Sequence, residues 1–402
     1  TSAIRSQGLT TQKFIFYESP FLRRLLSRDH DGTAMTIPNF KQLADNAKIA
    51  IAEAHISSLR YLHKRRLRRN ELAVAHGESR ISDDLIDRIS RWYSSGATEN
   101  LGDSMWVGIN QQKRDVHEAL LVGGEALRNI LLDPGRTNFF LGFDSLFKDR
   151  VKGAQLSSNR QREYLMRQLI GLAESIGTFR LYHPECGPKA EFPPTDADEI
   201  LDGIEQQIGI TVDFPNPFPD ELGLKTRRGI AAYRAIHAVY QAWQLCNLSR
   251  IWGNRILEIG AGMGRTAYYA SKMGLCSYTI VDIPMTSAAQ AAFLGQALGP
   301  ERVRLPGEGN DDRAVRLLNP GNLSDVGSVD IVLNADSLTE MDKEVAQAYA
   351  DYVAANATVF LSINHEANQH RVRDLKFDGM VCVSRSPHWM RTGYVEELYV
   401  RV

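Results

Sequence analysis

The stretch Ile256-Leu-Glu-Ile-Gly-Ala-Gly-Met-Gly-Arg265 decides the fold. Its first four residues are mostly apolar and predict a short buried strand. Three glycines within the next five positions allow a tight turn and let a ligand approach the backbone. From Arg265 to about Met273 the spacing is helical, and Gly274 ends the helix. Strand, glycine turn and helix in this order predict a ligand site at the carboxyl end of a parallel strand.

Short apolar runs alternate with helical segments throughout the C-terminal part of the chain. This alternation predicts a parallel sheet that is covered on both faces by helices, an α/β Rossmann-like fold. The predicted strands are Arg255–Ile259, Ser277–Val281, Val303–Leu305, Asp330–Asn334 and Thr358–Ser362. Two further strand-like runs, Met380–Ser384 and Gly393–Val402, are joined by a short loop and predict a terminal antiparallel hairpin.

The N-terminal half has a different character, because helical spacing dominates and strand signals are scarce before residue 210. The predicted helices are Pro38–Leu72, Ser82–Tyr93, Gln112–Leu132, Ser158–Ile176 and Thr195–Gly209, with a further helix at Thr226–Leu248. Between the last two lies Phe214–Asp220, which carries three prolines in seven residues and predicts a boundary. We therefore expect a mainly helical region at 1–210, serving as a lid, in acceptor selection or in dimerisation, and an α/β domain at 211–402.

Composition narrows the class of protein. The 402 residues suffice for at least two domains. With 47 Lys and Arg against 48 Asp and Glu, the net charge of −1 gives no general reason to bind nucleic acid. The basic run His63–Arg69 lies in a helical stretch, which favours a solvated face over a phosphate-binding surface. No apolar run is long enough to predict membrane insertion. Four scattered cysteines suggest neither zinc nor disulfides and favour a reducing, cytoplasmic location.

An acidic residue follows the second predicted strand, at a sequence spacing from the glycine turn that is typical of nucleotide-binding sites. Asp282 stands eighteen residues after Gly264, where a carboxylate can accept hydrogen bonds from both ribose hydroxyls of an adenosine cofactor. A dinucleotide-binding turn would have a third glycine where this chain has Arg265. The pattern, with Glu258 before it, instead resembles the first motif of class I S-adenosylmethionine methyltransferases, whose sheet also ends in an antiparallel strand. The cofactor-binding residues that this resemblance implies are Glu258, Gly260, Gly262, Gly264, Asp282, Ile283 and Asn334.

Polar residues follow the fourth predicted strand. In this fold the segment Ala335–Met341 faces the reacting group, so Asp336 and Glu340 are candidate catalytic or substrate-contacting residues. The chain lacks the Asn/Asp-Pro-Pro-aromatic motif that amino methyltransferases of nucleic acids carry at this place, which argues against DNA bases. For Ser337 we expect helix capping, since a Ser in such a turn commonly accepts a free amide.

The fifth predicted strand ends in Asn364-His-Glu366. His365 is a candidate general base, since an imidazole is largely neutral near pH 7 and an alcohol reacts well only if its proton is accepted. A structural histidine bonded to a carbonyl is the alternative. If a Mg²⁺ ion takes part, Asp336, Asn364 and Glu366 would supply its oxygen ligands. Candidate substrate-binding residues are Glu366 and, in the loop of the terminal hairpin, His388 and Arg391.

Several phrases together resemble one family, the bacterial sugar O-methyltransferases. They are Phe214–Phe218, Arg228-Gly229 with Tyr240, Leu257–Arg265, Tyr278–Pro284, Asn334–Met341 and Ser362–Ala367. The resemblance implies transfer of a methyl group from S-adenosylmethionine to a hydroxyl of a sugar or glycosylated metabolite. It does not cover the helical N-terminal half, for which formation of a homodimer is one of the expected roles. Two alternatives stay open: an NAD(P)-dependent oxidoreductase, and a non-catalytic scaffold with a degenerate cofactor fold.

Overall fold

The computed structural model describes residues 40–77, 81–95, 108–109, 111–134, 137–140, 158–179, 194–309 and 311–402. Contacts divide the chain into two compact units, one of residues 1–69 with 179–196 and one of residues 70–178 with 197–402. In the first unit the described structure is mainly helix α1 (Phe40–Leu67), which agrees with the predicted long helix. The start of that prediction, before residue 40, lies outside the described residues. The predicted boundary near residue 210 remains a prediction.

The second unit begins with helices that precede the main sheet. They are α2 (Asp83–Ser94), α3 (Arg114–Val122), α4 (Gly124–Leu132), α5 (Ser158–Ser175) and α6 (Ala197–Ile208). The single helix predicted over Gln112–Leu132 is therefore wrong, because Gly123 and Gly124 both adopt positive φ angles, 71° and 51°, that break it. A Cβ atom at Gly123 would lie 2.4 Å from Ser90 Oγ, so the break also lets α3 and α4 approach α2.

A small antiparallel sheet comes before the main one. It consists of β1 (Leu72–Val74), β2 (Leu222–Thr226) and β3 (Gly229–Ala232), in that order. Helix α7 (Tyr233–Trp252) starts only after β3, so the helix predicted from Thr226 is wrong over its first seven positions. Thr226 pairs with Gly229 across a two-residue turn. Gly229 has a φ angle of 109°, which is incompatible with an α-helix at this residue.

The main sheet has eight strands. They are β4 (Ile256–Ile259), β5 (Tyr278–Val281), β6 (Val303–Arg304), β7 (Val315–Leu318), β8 (Val329–Ala335), β9 (Ala357–His365), β10 (Met380–Pro387) and β11 (Tyr394–Arg401). Their order is β10-β11-β9-β8-β4-β5-β7-β6. The strands from β9 to β6 pair in parallel, whereas β11 runs antiparallel to both of its neighbours. This confirms the predicted Rossmann-like sheet with a C-terminal antiparallel hairpin. Strand β7, which the sequence did not predict, lies between β5 and the very short β6.

Three helices connect the parallel strands: α8 (Arg265–Lys272) follows β4, α9 (Pro284–Ala297) follows β5, and α10 (Lys343–Asn356) follows β8. The core on the side of α10 contains Val353 and Ala350 from that helix and an aromatic group from the sheet side. In that group, the rings of Phe360, Phe377 and Tyr399 lie 4.8–5.8 Å apart. None of the described helices combines the length and apolar character that a bilayer-spanning segment requires.

A charged cluster fixes the β2–β3 turn to helix α6. The guanidinium of Arg228 donates hydrogen bonds to Glu205 at 2.7 Å and to Asp198 at 3.1 Å, and it also pairs with Asp202. The Arg228 side chain is only 11% exposed, whereas that of its neighbour Arg227 is 65% exposed although it also pairs with Asp202. The buried arginine therefore contributes more to stability than the exposed one.

Replacement of the two arginines tests this difference. Arg228→Ala should destabilise the fold by about 2–3 kcal/mol, because the partly buried carboxylates of Asp198 and Glu205 lose charged hydrogen bonds, and should lower Tm by about 3–5 °C. Arg227→Ala, the matched control, should cost less than about 1 kcal/mol. Thermal melts followed by circular dichroism measure both shifts. Equal shifts for the two variants would contradict the role given to Arg228.

Candidate active site

The glycine turn after β4 has the backbone that its sequence predicts. Gly260, Gly262 and Gly264 have φ angles of 70°, 57° and 82°, values that side chains with a Cβ rarely adopt. A Cβ at Gly260 would lie 2.2 Å from Ser337 Oγ, so this position also lacks room for a side chain. Gly264 is the N-cap residue of α8. The turn therefore packs against the segment that follows β8 and presents bare backbone at the carboxyl end of β4.

An open cleft lies at this edge of the sheet. Eight of the residues predicted for cofactor, substrate or catalysis line it: Glu258, Gly260, Gly262, Asp282, Ile283, Asp336, Glu340 and Arg391. The structure thus brings together residues from four separate loops. The glycine turn forms one part of the cleft wall, and the loop after β8, with Arg391 of the hairpin, forms another part.

Asp282 follows β5, and its carboxylate is held in a fixed orientation. One carboxylate oxygen accepts from the Ile283 N–H at 2.8 Å, and the other from Gln290 Nε2 at 2.7 Å. The same Gln290 nitrogen donates to the Gly262 carbonyl at 3.0 Å and so ties the acid to the glycine turn. Burial raises the pKa of Asp282 to about 7, although both hydrogen bonds and the charge of the fully buried Lys113 favour the ionised form.

Glu258 is the other acidic group at this end of the cleft. Its carboxylate is buried and accepts a hydrogen bond from the Tyr278 hydroxyl at 2.8 Å. Burial raises the pKa of Glu258 to about 7, and the charge of Asp282 adds to this shift. Near neutral pH the two acids therefore divide between charged and neutral forms and can accept or donate hydrogen bonds to a bound ligand.

Asp336, directly after β8, is one of two described non-glycine residues with positive φ, at 70°. Its strained backbone is held through its side chain, which accepts from Arg391 Nη1 at 2.8 Å and from the Tyr394 hydroxyl at 2.6 Å. The guanidinium of Arg391 also lies 3.6 Å from the centre of the Tyr394 ring. Through these contacts the terminal hairpin completes the wall of the cleft.

Glu340 occupies a short 3₁₀ turn, Leu338–Glu340, and reaches the cleft beside Asp336. Its carboxyl group makes no hydrogen bond within the described ranges. Burial, and then the negative charge of Asp336, raise the pKa of Glu340 to about 8. A carboxyl group of this kind is largely protonated at pH 7 and becomes a base as the pH rises.

His365 lies behind this acidic pair. Its Nε2 is 3.8 Å from Asp336 Oδ1, and its ring packs edge-on against Tyr394 with centroids 5.4 Å apart. Its Nδ1 accepts a long hydrogen bond, 3.3 Å, from the Ala367 N–H, so the neutral ring carries its proton on Nε2. His365 does not belong to the described residues that line the cleft. Its catalytic role remains a prediction.

Other predicted residues are engaged elsewhere in the fold. Asn334 is fully buried, donates to the Ile259 carbonyl at 2.8 Å and accepts from Asn364 at 2.8 Å, so it joins the ends of three strands. Glu366 pairs with Arg385 at 2.9 Å. His388 is buried and lies 3.2 Å from a carboxylate oxygen of Glu396. Asn334, Glu366 and His388 therefore bond to other parts of the protein and do not belong to the described lining of the cleft.

The residues do not fit a Mg²⁺ site. Glu366 is paired with Arg385. Asn364 donates its Nδ2 to Asn334, and its Oδ1 is buried without a partner among the described residues. The ligand atoms that do come together belong to Asp336, Glu340 and His365, all within 4.8 Å of one another. However, the Arg391 guanidinium already binds Asp336, and a second guanidinium, that of Arg234, lies 3.6 Å from it. Two fixed cations beside the central carboxylate disfavour a divalent ion.

Helix α7 supplies a wall of the cleft that the sequence did not predict. Arg234, His237 and Gln241 line it from successive turns. His237 is buried, its Nε2 donates to Gln168 Oε1 at 3.0 Å, and burial holds the pKa of His237 well below its usual value, so the ring is neutral. The three residues recur at i, i+3 and i+7, but Gln244, Asn247 and Arg250 of the same helix are polar too, so this spacing does not single them out.

Comparison with known proteins gives partial matches only. No protein-family description and no curated protein matches the sequence. Among solved structures, the chain is similar to magnesium protoporphyrin IX methyltransferase from Synechocystis with bound S-adenosylmethionine, at 17% identity and a TM-score of 0.33, over 42% of this chain and 80% of that one. It is also similar to a glycopeptide N-methyltransferase complexed with S-adenosylhomocysteine, at 16% identity and a TM-score of 0.31, over 40% and 89%.

The raised pKa of Glu340 predicts how stability depends on pH. Because the folded pKa, about 8, exceeds the unfolded value near 4.3, the folded state binds more protons between these limits and loses stability as the pH rises. Glu340→Gln removes this loss, so the Tm of the variant minus that of the wild type should increase from pH 5 to pH 9. Glu344→Gln, at an exposed position, should give a constant difference. Parallel Tm curves for Glu340→Gln and the wild type would contradict the burial of this carboxyl group.

Proposed function

We propose that the protein is an S-adenosylmethionine-dependent methyltransferase that acts on a hydroxyl group of a sugar or glycosylated metabolite. One observation carries the proposal: Gln290 links Asp282 to the glycine turn at the carboxyl edge of a sheet whose last strand is antiparallel. The sugar acceptor is supported by the sequence resemblance and by a cleft end rich in hydrogen-bonding groups, Asp336, Glu340 and Arg391.

The residues at the glycine turn fit the cofactor. The Asp282 carboxylate accepts hydrogen bonds from the Ile283 N–H, the Ala261 N–H and Gln290, and its two oxygens still have acceptor capacity for a ribose hydroxyl. The buried atoms Thr286 Oγ1 and Gln290 Oε1 have no partner in the described part of the chain, and both residues lie on α9 next to Asp282. Such unpaired polar atoms are costly unless a ligand satisfies them.

When bound, S-adenosylmethionine supplies an electrophilic methyl group for in-line displacement by the acceptor oxygen. The protein orients the acceptor hydroxyl and removes its proton. We assign proton removal to Glu340, because it lines the cleft, has no other partner among the described residues and has a pKa of about 8. His365 positions Asp336 from behind, and Arg391 holds the same carboxylate.

Cofactor binding is tested by calorimetry with S-adenosylhomocysteine and, separately, with NADH. The wild type should bind S-adenosylhomocysteine and not NADH. Asp282→Ala should weaken binding about 10- to 100-fold, because two charge-assisted hydrogen bonds to the ribose are lost. Asp325→Ala, an exposed acid in the loop before β8, serves as the control and should bind like the wild type. Tight binding of NADH alone would overturn the proposed cofactor.

Turnover is tested with labelled S-adenosylmethionine and a panel of nucleotide sugars, oligosaccharides and glycosylated small molecules. The wild-type rate should rise with pH and level off above about 8. Glu340→Gln should lower kcat about 10²- to 10⁴-fold at unchanged S-adenosylhomocysteine affinity and remove this pH dependence. Glu344→Gln is the control.

The same assay compares the two candidate bases. His365→Ala should lower kcat less than Glu340→Gln and keep the wild-type pH profile. A Glu340→Gln enzyme with wild-type turnover, or a pH profile abolished only by His365→Ala, would contradict the assignment of the base.

A further inference from the structure

Arg234 is a cleft residue whose hydrogen-bonding groups are largely unused. It lies in the first turn of α7, and its side chain is 27% exposed. Its Nε is buried and has no partner within the described ranges. Its closest carboxylate is that of Asp336, 3.6 Å from Nη1, which is an ion pair but is too long for a hydrogen bond. The guanidinium also lies 5.5 Å from the centre of the Tyr233 ring.

Arg391, by contrast, makes a hydrogen bond from each of its terminal nitrogens. One of its terminal nitrogens donates to Asp336 at 2.8 Å and the other donates to the Tyr394 hydroxyl. Asp336 is thus already paired with Arg391. Arg234 is the second cation beside a single committed carboxylate.

The charge balance at this end of the cleft is therefore positive. The interacting charged groups here are two guanidinium groups, Arg234 and Arg391, and two carboxyl groups, Asp336 and Glu340. Glu340 is mostly neutral at pH 7, and His237 on the next turn of α7 is neutral as well. The carboxylate of Asp342, which also lines the cleft, caps α10 by accepting from the Glu344 N–H at 2.9 Å. Among these described groups, no carboxylate accepts a hydrogen bond from Arg234.

A buried guanidinium nitrogen without an acceptor has lost its hydrogen bond to water and gained none in return, which is unfavourable. A planar anion can accept two parallel hydrogen bonds from a guanidinium, and such pairs are among the strongest polar contacts in proteins. A neutral sugar hydroxyl would leave both the charge and part of the donor set unsatisfied. The surroundings of Arg234 therefore favour a ligand with a carboxylate or a phosphate group.

We propose that Arg234 is an anion-binding residue and that the acceptor carries a carboxylate or phosphate substituent, as a uronic acid or a phosphorylated sugar does. This inference rests on the proposed methyltransferase function, and it narrows the acceptor class. The cofactor offers a second source of the same chemistry, since its amino-acid half ends in a carboxylate. The experiment must separate these two sources.

The test measures phosphate binding in two cofactor-product complexes. The first complex contains S-adenosylhomocysteine, and the second contains 5′-methylthioadenosine, which lacks the amino-acid half. Inorganic phosphate is titrated into each by calorimetry at constant ionic strength. We expect phosphate to bind both complexes of the wild type. Arg234→Gln should weaken this binding at least tenfold, and Arg234→Lys, which keeps the charge, should retain part of it.

Arg250→Gln is the control, because Arg250 is an exposed residue in the last turn of the same helix. It should bind phosphate like the wild type, and circular dichroism melts should confirm that all variants are folded. Both variants at Arg234 should bind S-adenosylhomocysteine with unchanged affinity, since the site is assigned to the acceptor.

Three results would overturn the proposal. Phosphate that binds the methylthioadenosine complex but not the S-adenosylhomocysteine complex would assign Arg234 to the cofactor carboxylate. Equal phosphate affinity of the wild type and Arg234→Gln would remove Arg234 from any anion site. No phosphate binding to either wild-type complex would exclude the site itself. A wild type that binds neither nucleoside contradicts the proposed function, a result distinct from the other three.

Discussion

The hydrogen bonds of Asn334 hold the carboxyl ends of three neighbouring strands together, and the site depends on them. Its amide donates to the Ile259 carbonyl at the end of β4 and accepts from Asn364 at the end of β9, while Asn334 itself lies in β8. The glycine turn follows Ile259 directly, Asp336 lies two residues after Asn334, and His365 follows Asn364. Because the amide is fully buried, any loss of one partner would leave an unpaired polar group in the core.

The antiparallel hairpin is a second constraint, since it joins the sheet edge to the cleft. Strand β11 pairs Tyr394 with His365, and this register places the Tyr394 hydroxyl and Arg391 on the Asp336 carboxylate. The hairpin loop is also fixed from the helical side, where the Glu396 carboxylate accepts from Tyr240 of α7 and lies next to His388. Arg391 and Tyr394 of the hairpin thus fix the position of Asp336, in the loop after β8, although Asp336 lies far earlier in the sequence.

Local sequence patterns predicted those parts of the fold that depend on local chemistry. The glycines need positive φ, and Asp282 ends a strand that pairs with β4, so both could be placed from spacing alone. The β2–β3 hairpin could not, because ion pairs between Arg228 and the distant helix α6 decide it. Polar residues at strand ends were predicted as ligand contacts, yet Asn334 and His388 bond to other parts of the protein. Arg234 and His237 reach the cleft only through the packing of α7, which spacing within one helix does not specify.

In the proposed function, the glycine turn and Asp282 together bind the adenosine part of S-adenosylmethionine. A crystal structure of the protein with S-adenosylhomocysteine tests this most directly. We expect both ribose hydroxyls to lie within hydrogen-bond distance of the Asp282 carboxylate and the amino-acid half to lie next to the backbone of Gly260 and Gly262. A nucleoside bound away from Asp282, or a cleft that stays empty at saturating ligand, would contradict it.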